Sequence, residues 1–99
     1  MRIPTHRPPT HPGEMLLEEF MNPLGLTPQK VAESIGVTES QILDLIVGKQ
    51  NITPSLALRL SKFLGMSVEF WLNLQMRWDL YYTQQAEADF LNTINPFVA

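Results

Sequence analysis

At 99 residues the chain makes one small domain, a size at which the core is limited and association with a partner adds stability. It has no cysteine, which excludes disulfides and thiolate metal sites and suits a reducing cytoplasm. Its net charge of −3, with seven Lys and Arg, leaves any nucleic-acid binding to local patches and to direct readout rather than to bulk charge.

The first dozen residues, Met1 to Pro12, are polar and rich in proline and resemble no signal peptide. Pro4, Pro8, Pro9 and Pro12 predict an extended arm with two cations, Arg2 and Arg7. A first helix is expected from Glu14 to Met21, with Leu16, Leu17 and Phe20 inward and Asn22-Pro23 as its stop. A second opens with Thr27 as N-cap and Pro28 at the first helical position, and turns Val31, Ala32 and Ile35 inward. Gly36 ends it, since only glycine takes a left-handed conformation freely.

The third helix opens with Thr38, and Gln41 completes a capping box. Ile42, Leu45 and Ile46 follow at helical spacing, before Gly48. Thr53-Pro54 starts a fourth helix with Leu56, Ala57, Leu60, Phe63 and Leu64 inside, ending at Gly65. A fifth is expected after Ser67, its N-cap, to about Phe90, and the residues from Asn92 onward form a fraying tail. No segment alternates with period two and no apolar run reaches the roughly 20 residues of a membrane span. The expectation is therefore an all-α five-helix bundle: arm 1–12, domain 13–91 and tail 92–99.

Helices two and three are joined by only Gly36, Val37 and Thr38, so they cross steeply and pack at once. A small Ala32, Gly36 four residues later, and apolar residues at Val37, Ile42 and Leu45 make a helix-turn-helix. Its third helix would enter a major groove. Thr38, Glu39, Ser40, Gln41, Leu43 and Asp44 then face the bases, with the amide of Gln41 shared with its capping box. Gln29 points toward a phosphate, and Lys49, Gln50 and Asn51 follow the helix where backbone could be gripped. From Leu26 to Thr53 only Lys30 and Lys49 oppose Glu33, Glu39 and Asp44. This acidic head leaves open a protein-binding module with weak DNA binding. It also makes Arg2 and Arg7 of the arm candidates for phosphate contact.

The fifth helix carries apolar residues over more than half its circumference. Phe70, Trp71, Leu74, Trp78, Tyr81 and Tyr82 are therefore candidates for a two-fold dimer interface, unless they serve only as the central core. His6 and His11 lie five residues apart in the Pro-rich arm without acidic or thiolate company, so no metal site is expected. No Gly-rich phosphate loop or nucleophilic triad is present, and neither a cofactor nor an enzymatic activity is expected.

Four stretches resemble the HigA/VapI-type antitoxins, within the XRE-type helix-turn-helix group. They are His11-Pro12-Gly13-Glu14, Pro23-Leu24-Gly25-Leu26-Thr27, Gly48-Lys49 with Ile52-Thr53-Pro54, and Phe70-Trp71-Leu72-Asn73-Leu74-Gln75. The resemblance covers about His11 to Leu80. It implies a lambda-repressor-like fold and a dimer that binds double-stranded operator DNA and represses its own operon. It also implies a small ribonuclease toxin as partner. Ser40 and Gln41 would then lie at the operator, with Gln29 and Lys49 at phosphates. Where the family often carries Arg or Lys, this chain has Glu39, Asp44 and Gln50.

Overall fold

The computed structural model describes residues 8–98. Arg2, His6 and Arg7 of the expected arm lie outside them. Helix α1 comprises Pro12–Met15, a widened π-type stretch Leu16–Met21, and Asn22–Leu24. Then follow α2 (Pro28–Ile35), α3 (Glu39–Ile46), α4 (Pro54–Leu64), α5 (Val68–Ala86) and α6 (Ala88–Leu91). Among the described residues there is no strand, and no helix is long and apolar enough to cross a membrane. The described residues are all-helical in architecture, with six helices among them instead of the expected five, because α5 breaks at Glu87 before one more short turn.

The caps form as the residue types require. Thr27 Oγ1 accepts from the Lys30 N–H at 3.1 Å, and Thr53 Oγ1 does the same for Leu56 at 3.2 Å. Both are followed by proline at the first helical position. Thr38 and Gln41 form the full capping box. Gly36 sits at φ 75°, and the N–H groups of Gly36 and Val37 both bond to the Ala32 carbonyl, closing α2 into the turn. Helices α2 and α3 pack directly on each other, as do α4 and α5, while α1 lies across α3 and α5.

Two expectations at the N-terminus need correction. His11 and Pro12 belong to the fold and not to an arm, because both are buried. Proline at a first helical position loses no hydrogen bond, and His11 acts as the N-cap. Its Nδ1 accepts from the Gly13 N–H at 3.0 Å, and its ring meets Trp78 edge to face at 4.9 Å. Nor does Asn22-Pro23 stop the helix. The π-type turn places the Asn22 N–H on the Leu17 carbonyl, five residues back. Widening just before proline relieves the clash with the preceding turn, so α1 runs on to Gly25.

The core is one cluster in which Leu16, Ile42, Leu45, Ala57, Leu60 and Trp71 have no accessible surface. Gly13 lets α1 approach α3 closely. A Cβ at Gly13 would overlap the Leu45 carbonyl oxygen and carbon, both backbone atoms that cannot swing away. Gln75 is the second anchor. It is buried, and its Oε1 accepts from the Ile52 N–H at 2.7 Å while its Nε2 donates to Asp79 at 2.9 Å. This bond ties α5 to the loop that follows α3.

Gly13→Ala should lower the unfolding free energy by about 3 kcal/mol or more, as overpacking against immovable backbone does, measured by urea denaturation. Gln75→Leu should cost about 1–3 kcal/mol by leaving the Ile52 amide unpaired. Hydrogen exchange at Ile52 should speed up in that variant by more than the global loss of stability accounts for.

Candidate nucleic-acid interface

The direction of α3 is set from behind. Ile42 and Leu45 are fully buried and Ile46 half-buried, so at about 100° per residue the opposite face holds Ser40, Leu43, Asp44 and Val47. Glu39 flanks that face at the N-terminal end. Ser40, Glu39 and Leu43 are exposed, and Asp44 is half-buried. Beyond the helix, the N–H groups of Lys49 and Gln50 both bond to the Asp44 carbonyl, at 2.8 and 3.1 Å. This folds the Lys49-Gln50-Asn51 loop back beside the C-terminal end of α3.

Several of the candidate reading side chains are already engaged within the chain. Gln41 Oε1 accepts from the Thr38 N–H at 3.0 Å and the Thr38 hydroxyl at 3.3 Å, while Thr38 Oγ1 accepts from the Gln41 N–H at 3.2 Å. Gln29 Nε2 donates to Glu33 Oε1 at 3.2 Å, one turn along α2. Gln50 Nε2 donates to the Asn51 carbonyl at 3.0 Å. Glu39, Ser40, Leu43, Lys49 and Asn51 remain exposed, and among the described residues the side chains of Glu39, Ser40, Lys49 and Asn51 make no hydrogen bond. The structure therefore leaves Glu39, Ser40 and Leu43 exposed along α3, ties the following loop to the Asp44 carbonyl, and sets Gln29 at the start of α2.

Sequence reasoning missed three residues that position this surface. Arg59, on α4, donates from Nη1 to the carbonyls of Ile35 and Gly36 at 2.6 and 3.3 Å, and from Nε to Ser55 Oγ at 3.1 Å. A cation on the last carbonyls of α2 satisfies acceptors the helix leaves open and opposes its dipole. His11 and Gln75 are the others. Arg59 and Gln75 bond to partners more than twenty residues away in sequence, and local patterning holds no signal for such pairs.

The candidate dimer residues divide. Trp71 is 0% exposed and packs against Phe20 and Phe70, at ring-centroid distances of 5.3 and 5.0 Å. It has no surface to offer a partner, which corrects its assignment to an interface. Phe70 and Leu74 are half-buried against the same core. Trp78 lies between His11 and Tyr82, Tyr81 is half-buried, and Tyr82 is 41% exposed. Further exposed apolar surface on α5 comes from Met76 and Leu80. Among the described residues no group of three or more His, Cys, Asp or Glu could hold a metal ion.

The helix-turn-helix family matches residues 17–71, more than half of the chain. Antitoxin HigA-1 of Vibrio cholerae is 40% identical over 93 residues, which cover 91% of this chain and 88% of that protein. Virulence-associated protein I of Dichelobacter nodosus is 35% identical over 99 residues, covering 97% and 91% of the two chains. Among solved structures, antitoxin GraA in complex with its operator superposes with a TM-score of 0.86 at 32% identity, over 99% of this chain and 100% of that one. With its turn geometry, its caps and these relatives in agreement, the chain belongs to the helix-turn-helix family, in the group of the HigA/VapI-type antitoxins.

Proposed function

We propose that this protein is the antitoxin of a toxin–antitoxin module, a cytoplasmic repressor that binds operator DNA through α3 and restrains its own operon. The observation that carries this reading is the superposition, over nearly the whole chain, on an antitoxin solved with its operator. The exposed outer face of α3 supports it, because a helix so presented fits a major groove with its N-terminal end toward the base edges. Lys49 and Asn51, exposed after α3, would contact phosphates, and Arg2 and Arg7, outside the described residues, would add two cations. In this reading the same protein also neutralises a small ribonuclease toxin by binding it.

The repressor acts as a two-fold dimer, joined along the C-terminal half of α5. The described residues extend over 53 × 27 × 27 Å with a radius of gyration of 16.4 Å. A compact chain of this length has a radius near about 13 Å. The exposed apolar side chains of Met76, Leu80 and Tyr82 on α5 support cover by a second copy. Trp78, Tyr81 and Tyr82 form this face with Leu80, and Phe70 and Leu74 lie at its margin. Two recognition helices would then meet half-sites about 34–36 Å apart, one turn of the duplex.

A second reading is a protein-binding module with weak DNA binding, and the acidity of the head favours it. Lys30 and Lys49 are outnumbered there by Glu33, Glu39 and Asp44.

Fluorescence anisotropy with the DNA just upstream of the protein's own gene, beside a scrambled duplex over a salt series, separates the two. The repressor reading expects tight, sequence-dependent binding with a shallow salt slope. Equal binding to both duplexes at every salt concentration supports the protein-binding module. Under the repressor reading, Glu39→Lys should tighten binding to the scrambled duplex at low salt by about threefold to tenfold. No change would remove α3 from the phosphates. In sedimentation equilibrium the wild type should run at twice the chain mass. Leu80→Arg should shift it toward one chain mass by placing like charges on a desolvated face.

A further inference from the structure

The outward face of α3 has an unusual composition for a base-reading helix. Specific contacts in the major groove are commonly made by Arg or Lys to guanine and by Asn or Gln to adenine. Helix α3 has no Arg, Lys or Asn, and the amide oxygen of its single Gln is held by its own N-cap. The neighbouring amides of Gln29 and Gln50 donate to Glu33 and to the Asn51 carbonyl. On that face, beside Ser40 and Asp44, stand two aliphatic side chains one turn apart, Leu43 within α3 and Val47 at its C-cap. Leu43 is 47% exposed and Val47 is 66% exposed. Ser40 precedes Leu43 by one turn on the same side, so the aliphatic pair continues the surface that the N-terminal end of the helix presents. The chain's own core covers neither side chain.

A major groove offers an aliphatic side chain one apolar partner, the C5-methyl group of thymine. We propose that Leu43 and Val47 select thymine in each half-site by packing against its methyl group. This rests on the reading of α3 as the DNA-facing helix. The pair sets specificity through apolar burial where hydrogen-bond donors are scarce. The carboxylate of Asp44, beside it on the same face, is suited to accept from the exocyclic amino group of a neighbouring cytosine or adenine. Methyl burial is insensitive to salt, so it also supplies affinity that an acidic head cannot draw from phosphates.

The test removes the methyl group and nothing else. Deoxyuridine replaces thymine, one position at a time, in the protein's own upstream duplex, and anisotropy measures binding at fixed salt. Each contacted position should weaken wild-type binding by about threefold to fivefold, as expected for one buried methyl group. Leu43→Ala should abolish the penalty at one position and Val47→Ala at another. Both residues are exposed, so the variants should keep the wild-type unfolding temperature. Two results would overturn the proposal. One is equal wild-type affinity for the fully uracil-substituted and the thymine duplexes. The other is an undiminished uracil penalty in the double alanine variant, since the methyl group would then act through duplex shape. Failure of the underlying DNA reading looks different: the unmodified duplex would bind no better than its scrambled counterpart, and both ideas would fall together.

Discussion

The fold depends on the contact between Gly13 and the backbone of Leu45. There the start of α1 comes so close to the last turn of α3 that no side chain fits between them. Burial of Ile42 and Leu45 points the inner face of α3 at the core, but burial alone leaves a helix free to slide and roll. Backbone lying against backbone removes that freedom. The His11 cap and the edge-to-face contact of its ring with Trp78 hold this end of α1 in place, so α5 also braces the contact.

Two polar tethers complete the frame. Arg59 fixes the turn on one side of α3 by holding the last carbonyls of α2, and Gln75 fixes the loop on the other by taking the Ile52 amide. Both reach backbone groups that would otherwise be costly to bury or expose, because orphaned peptide groups inside a protein are destabilising. The result is a rigid mount with a chemically sparse working face. Pre-organisation matters more when few strong contacts are available, since less of the interaction is consumed in ordering the binder.

Much of this could be read from the chain directly. Caps such as Thr27-Pro28, Thr38 with Gln41, and Thr53-Pro54 are local signals, and Gly36 with its apolar neighbours announces the turn; each appears as expected. The outward residues of α3 followed from the positions of Ile42 and Leu45. Contacts between segments far apart in sequence were illegible, as at Arg59 and Gln75. Two prolines misled in the same way, each being expected to exclude helix. Pro12 lies where its missing N–H is harmless, and Pro23 lies after a turn already widened for it. Trp71 illustrates a different limit. Periodicity identifies an apolar face, but whether the chain's own core or another molecule covers it depends on Phe20 and Phe70 arriving from elsewhere.

The widened stretch in α1 also bears on how such a chain can change over generations. A π-type turn holds one residue more than the α-helical turn it replaces, so the extra residue is absorbed locally and the two flanking ends keep their rotational phase. Here the end before Leu16 carries Gly13 against α3, while the end at Met21 is buried in the core. Both phases are fixed by packing. Losing one residue between Leu16 and Met21 would let the stretch close into a regular α-helical turn, with Gly13 still facing Leu45 and only the relief of Pro23 forfeited. Gaining a further residue would turn one end by about 100° relative to the other and carry Gly13 away from Leu45. The segment therefore bears the loss of a single codon better than the gain of one, which misaligns the mount of the recognition helix.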